Sequence, residues 1–207
     1  MDDASNPRMP KAGPKAARPA QIRDAAMKCF AENGIASTSL RSIAEAAGVS
    51  LGLIQHYFAT KSQLIEAIDS RVLSVFAQVQ VDPLSEAGAD ERVSDAGSQL
   101  AAVMSENPDV MDYVARALAE RGGVGNTIFD GFFAISAQQG AAFAAQGLTP
   151  DDLDPLWGNM LPLILRVGTI MLRQHIERHV DGSLYEPEQI CRWDAAVTRL
   201  IREGQMK

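Results

Sequence analysis

Apolar residues recur at helical spacing along almost the whole chain, and the strict alternation that a half-buried strand requires is missing. Between Pro19 and Asn33, Ile22, Ala25, Ala26, Cys29 and Phe30 fall at i, i+3, i+4, i+7 and i+8, an amphipathic helix that Gly34 ends. Leu40, Ile43, Ala44 and Ala47 repeat the pattern over a shorter span, with Thr38 or Ser39 as N-cap and Gly48 at the exit. Ser50 caps a second short helix, Leu51 to Tyr57. Thr60, with Gln63 three residues on, opens a fourth through a capping box. That helix continues through Leu64, Ile68, Val72, Val75 or Phe76 and Val79, and stops before Pro83. The first helix is expected to pack on Leu40, Ile43, Val49 and Phe58. Cys29, on its apolar stripe, reads as a small buried hydrophobe.

The remainder also reads as helical. One helix is expected over about 90–105, and Asn107-Pro108 supplies an N-cap and an N1 proline for another to about Arg121. Gly122, Gly123 and Gly125 are expected to break the chain before a helix over about 127–146. Thr149, Pro150 and Asp151 start the next, which is expected to reach about Val180 with a bend near Pro155 or Pro162. After an Asp181-Gly182 turn, Pro187 to Glu203 forms the last helix. The apolar-rich run from Leu153 to Ile176 is interrupted by Asp154, Asn159, Pro162, Arg166, Arg173 and His175. A span needs about 20 residues with few or no charges, so this run reads as a buried helix.

Charge changes the picture once it is split along the chain. The net charge is −7, an unpromising value for a nucleic-acid binder. Residues 1–71 hold nine Lys/Arg against seven Asp/Glu, a balance of +2, while residues 72–207 carry ten against nineteen, a balance of −9. The basic groups Arg8, Lys11, Lys15, Arg18, Arg23, Lys28, Arg41 and Lys61 therefore gather around the short helices, where phosphate attraction would need them. Residues 1–17, with three prolines and no apolar period, are expected to be a disordered basic tail: solvated, or an arm that follows DNA. With no secretory pattern in that tail and only two cysteines, Cys29 and Cys191, the expected location is the cytoplasm.

Helix, glycine turn, helix over Thr38–Leu64 is the outline of a helix-turn-helix, whose second helix enters the DNA major groove. The run Ile43-Ala44, Ala47-Gly48-Val49-Ser50, Gly52, Tyr57-Phe58, Lys61 and Leu64 closely resembles the DNA-binding domain of the tetracycline-repressor (TetR) family of bacterial regulators. The resemblance covers residues 18–78, the expected DNA-binding domain, and leaves 79–207 as a ligand-binding and dimerisation domain. It implies that Leu51, Gly52, Leu53, Gln55, His56 and Tyr57 lie at the DNA, and that Ser50, Tyr57 and Lys61 touch phosphates. Thr38, Ser39 and Arg41 would make contacts on the other side of the groove. Two positions depart from the family pattern. Gln55 stands where a tyrosine is usual and Leu51 where a polar residue is common, so Gln55 is a candidate for reading adenine, or only for contacting phosphate.

One reading helix covers too little DNA for specificity, so a homodimer on a palindromic double-stranded operator is expected. Its interface is sought on the last two long helices, at Leu161, Leu165, Arg166, Leu172, Ile190, Trp193, Val197, Leu200 and Ile201. Arg166 sits among apolar neighbours and needs a counter-charge, expected from an interface salt bridge or, alternatively, from a ligand anion. Met104, Met111, Arg116, Phe129, Phe133, Trp157 and Met160 are candidate pocket residues for a small hydrophobic inducer. His175 and His179 share a helix face, but Glu177 is misplaced for a zinc-protease motif, and no phosphate loop or nucleophile elbow occurs. No catalytic residue, metal or cofactor is expected. The expectation is an all-α chain of about nine helices: a three-helix helix-turn-helix domain, then a larger helical ligand-binding and dimerisation domain. Its expected function is a repressor released by a small ligand. The alternatives are a regulator without an inducer, or a helical interaction adaptor.

Overall fold

Hydroxyl caps punctuate the N-terminal third of the chain. The computed structural model describes residues 17–79, 88–120 and 122–206. It begins with α1 (Ala17–Asn33), α2 (Leu40–Ala47), α3 (Leu51–Tyr57) and α4 (Lys61–Phe76). The expected tail lies almost wholly outside the described residues, and the proposed domain boundary near residue 79 adjoins another such stretch. Ser39 caps α2: its hydroxyl accepts from Ser42 N–H, while the Ser42 hydroxyl accepts from Ser39 N–H, both at 3.1 Å. Ser50 caps α3 by accepting from Leu53 N–H at 3.2 Å, and Thr60 caps α4 by accepting from Gln63 N–H at 3.2 Å. Gln63 does not close the expected box on Thr60; its side-chain oxygen accepts from Ala59 N–H instead. Between α2 and α3, Gly48 takes φ 62°, a left-handed conformation that glycine adopts without a Cβ penalty, and this sets the turn.

Six further helices follow: α5 (Ala89–Glu106), α6 (Pro108–Ala119), α7 (Gly123–Ala145), α8 (Pro155–Met171), α9 (Arg173–Ile176) and α10 (Pro187–Gln205). Ten helices and no strand are present among the described residues. Two sequence expectations need correction. The helix expected from Thr149 starts at Pro155, because the Asp154 carboxylate accepts from Leu156 and Trp157 N–H at 2.9 Å and so caps at that point. It ends at Met171 rather than near Val180, and the four residues of α9 stand apart. Nor do Gly123 and Gly125 break a helix. They open α7, and a Cβ on Gly125 would meet the Ala117 carbonyl oxygen at 2.6 Å, so this glycine lets α7 approach the backbone of α6.

The first helix joins the two halves. Ile22, Ala26 and Phe30 of α1 are buried against α2, α4 and α6, in one core that continues through Ile43, Ile54, Leu64 and Ile68 to Met104, Met111, Tyr113 and Ile128. Phe30 and Tyr113 meet with ring centroids 6.3 Å apart. Burying side chains of this size contributes about 1.5–3 kcal/mol each. Polar contacts reinforce the seam. Arg116 donates from Nε to Ala31 O and from Nη2 to Glu32 O, both at 3.2 Å, and Glu120 Oε1 accepts from Ile35 N–H at 3.0 Å. α7 and α8 pack on each other and on α6, while α10 runs along α5 and touches α8.

Candidate functional site

The outer face of α3 is built to be seen from outside. Ile54 is buried under the helix and anchors it, so Leu51, Gly52, Gln55 and His56 are left exposed on the opposite side. Leu51 to Gln55 and Gly52 to His56 are i,i+4 pairs, so the four positions form one patch. Leu53 and Tyr57 flank it half-buried, with the His56 ring edge-on to Tyr57 at 5.1 Å. Ser50, exposed at the N-terminus of α3, and Ser39 and Arg41, exposed at the start of α2, complete the surface. The free N–H groups at the start of a helix favour an anion such as phosphate. Gly52 has no structural reason to be glycine: a Cβ there meets nothing within 4 Å, and its φ is not in the left-handed region.

Two residues expected in this surface are engaged elsewhere. Thr38 is buried, and its hydroxyl donates to Gly34 O at 2.7 Å and reaches Cys29 O at 3.2 Å, so it fastens the α1–α2 connection. Lys61 turns its ammonium onto the same connection, donating to Ile35 O and Ala36 O, with the Phe30 ring centroid 5.8 Å away. Each reaches backbone carbonyls at the end of α1 or in the connection that follows it. Helical spacing places a side chain on a face, but not on the loop that crosses that face.

A cavity of ≈ 70 Å³ lies among α4, α5, α7 and α8, against which Phe76, Val79, Leu100, Met104, Phe132, Ile135, Ser136, Gln139, Leu163, Arg166, Val167 and Ile170 are set. Met104 is the one expected pocket residue that lines it. Met111 is fully buried in the core and Arg116 holds the α1 seam; Phe129 and Phe133 pack half-buried against the core away from this cavity. Trp157 is 54% exposed, and Met160 is half-buried outside the lining. The physical reason is helix phase. α7 turns 132, 135, 136 and 139 inward, a set offset by one residue from 129 and 133, and apolar residues occupy both phases. A wider cleft of ≈ 570 Å³ between α5 and α10 is a surface groove lined by small residues with Asp194, Arg199 and Arg202.

The same phase argument divides the residues expected at a dimer interface. Leu161, Leu165 and Leu172 are exposed on α8 and its end, beside Ile164 and Met171, and Leu200 is 61% exposed on α10. Ile190, Val197 and Ile201 point the other way and are buried within the chain, because α10 lays that face on α5. Trp193 is half-buried and donates its indole N–H to Thr169 Oγ1 at 2.9 Å. Arg166, also on α8, lines the cavity. Among the described residues no group of His, Cys, Asp and Glu is placed to hold a metal ion, and no helix is long and apolar enough to cross a membrane.

Residues 22–68, which contain this helix-turn-helix, match the family model described as "Bacterial regulatory proteins, tetR family". The chain is 38% identical over 101 residues to the HTH-type transcriptional regulator BetI of Paraburkholderia xenovorans, a match covering 49% of each protein. It thus spans about half the length of that relative. Its fold is similar to that of the transcriptional regulator FadR from Bacillus subtilis, solved in complex with stearoyl-CoA. The TM-score is 0.72 at 19% identity, over 89% of this chain and 98% of that one. It is also similar to SmeT, the repressor of the Stenotrophomonas maltophilia multidrug efflux pump SmeDEF, with a TM-score of 0.68 at 21% identity, over 91% of this chain and 90% of that one.

Proposed function

From the premise that this chain belongs to the TetR family of bacterial DNA-binding regulators, we propose that it is a homodimeric repressor released from a palindromic operator by a small hydrophobic ligand. The observation that carries the reading is the exposed patch on α3, with an unforced glycine at its centre. An exposed helical glycine costs about 0.5–1 kcal/mol relative to alanine, and a side chain as small as hydrogen is useful where a DNA backbone or base edge must come close. In this reading Gln55 and His56 meet base edges and Leu51 meets a thymine methyl, while Ser39, Arg41, Ser50 and Tyr57 hold phosphates. Thr38 and Lys61 brace the loop that presents α2. Residues 18–78 read DNA; residues 79–207 bind the ligand and a second copy in the cytoplasm.

The exposed leucines of α8 and α10 support dimerisation, since a row of large apolar side chains is covered favourably by a matching row on a partner. The cavity supports ligand control. At ≈ 70 Å³ it falls well below the roughly 300 Å³ at which ligand sites begin, so an entering molecule must part its walls. Phe76 ends α4 and Val79 follows it, so parting those walls moves the helix whose Leu64 and Ile68 share one core with Ile54 of α3. A ligand preferring the parted state then favours a spacing of the two α3 helices that successive major grooves do not match.

Fluorescence anisotropy with DNA from the chain's own upstream region tests the reading. Binding that weakens steeply with salt is expected, and no binding even at low salt would remove the proposal.

A further inference from the structure

Arg166 stands in the cavity wall with its Nε closed off from solvent and without a hydrogen-bond partner among the described residues. The other polar groups of the wall are engaged: the Ser136 hydroxyl donates to Asn159 O and the Gln139 amide donates to Val79 O, both at 2.9 Å. The rest of the wall is apolar, with Phe76, Phe132, Val167 and Ile170 among its residues. Burial lowers the Arg166 pKa and the Asp194 carboxylate opposes that shift, yet a guanidinium keeps its proton at neutral pH. Asp194 is not a direct partner. The two form no ion pair, and Asp194 Oδ1 accepts from Thr198 at 3.2 Å. An arginine Nε closed off from water without an acceptor is costly, and any acceptor that reaches it recovers part of that cost.

We propose that this cavity takes a hydrophobic carboxylate, whose anionic head accepts from Arg166 and whose tail lies along Phe76, Phe132 and Ile170. The proposal rests on the reading of this cleft as the effector site and narrows the effector to anionic amphiphiles. A carboxylate offers acceptor oxygens in the plane of the guanidinium fork, where each bond is charge-assisted. An alcohol of the same length offers one weaker acceptor, and a quaternary ammonium is repelled. The small free volume adds a requirement. The tail must part the walls, and the bond between Gln139 and Val79 makes the exit of α4 part of what yields.

Isothermal titration of the full-length protein with decanoate, 1-decanol and decyltrimethylammonium provides the test, with operator anisotropy measured on the same samples. Decanoate is expected to bind at least about tenfold more tightly than decanol, as a charge-assisted bond implies. Arg166→Gln is expected to cost decanoate at least about tenfold and decanol clearly less, so that the preference disappears, and Arg166→Lys to restore part of it. Decanol binding as tightly as decanoate, an Arg166→Gln loss equal for both, or no decanoate binding at all would each overturn the proposal. If Arg166→Gln does not fold, the comparison of decanoate with decanol on the parent protein decides alone. The two readings also fail separately. Decanoate that binds through Arg166 without changing operator affinity leaves this site standing and removes the effector role. A neutral compound that releases DNA while decanoate does not bind does the reverse.

Discussion

The Tyr113 hydroxyl donates to the Asp69 carboxylate at 2.7 Å, a buried bond that fastens α6 to α4. Burial raises the Asp69 pKa above its ordinary 3.8; the Tyr113 bond opposes the shift and Glu66 adds to it. Because the folded value is raised, the associated stability is complete below 3.8 and is lost as pH rises through the folded value. Asp69→Asn keeps an acceptor for Tyr113 and removes the titration. Thermal unfolding followed by circular dichroism should show a flatter dependence on pH above 3.8 for the variant than for the parent. Parallel curves would contradict the assignment. Tyr113→Phe strands the carboxylate and should cost about 1–3 kcal/mol.

Gly52 separates stability from recognition. Since a Cβ there meets open space, Gly52→Ala should leave the protein as stable or raise its stability by up to about 1 kcal/mol. On the operator the same methyl intrudes on the close approach. Weaker DNA binding by a more stable protein is the expected pair of results, and unchanged affinity would remove Gly52 from the interface.

Arg41 and Lys61 are both basic residues near α3, yet the slope of log affinity against log salt should distinguish them. Arg41 is exposed, and Arg41→Ala in a dimer removes two phosphate contacts, which should lower the slope by about 2. Lys61 spends its ammonium on Ile35 O and Ala36 O. Lys61→Met should lower the unfolding temperature and weaken binding with the slope nearly unchanged. A slope change as large as that of Arg41→Ala would show that Lys61 reaches phosphate after all.

Leu161 and Leu200, 49% and 61% exposed, should form the partner-facing row. The double variant Leu161→Glu, Leu200→Glu places charges where two copies would meet, and sedimentation should then report the 22.3 kDa single chain rather than twice that mass. A monomeric parent would dismiss the interface.

The fold was legible wherever a local signal acts locally. Ser50, Thr60, Gly48 and Pro108 announced their helix ends because capping depends on a few adjacent atoms. Residues 149–154 misled because Thr149 and Asp154 are both plausible caps, and the choice belongs to Asp154 and the proline that follows it. The α3 positions came from the family resemblance carried by residues 43–64, and spacing alone located only the helix that bears them. The cavity lining was not legible, since α7 and α8 carry apolar residues on more than one face and only packing against α4, α5 and α6 selects the inner one. Lys61 escaped for a related reason. It is defined by what lies opposite it in space, the carbonyls of Ile35 and Ala36.

The seam between α1 and α6 bears on how such a chain can be altered. Arg116 and Glu120 grip the backbone at residues 31, 32 and 35, while Phe30 shares its burial with Tyr113. A chimaera that joined α1–α4 to the C-terminal half of a relative would set α1 against a foreign α6 and keep these contacts only where that helix carries equivalent side chains. For this chain, a functional graft would therefore follow the core and carry α6 across with the reading head.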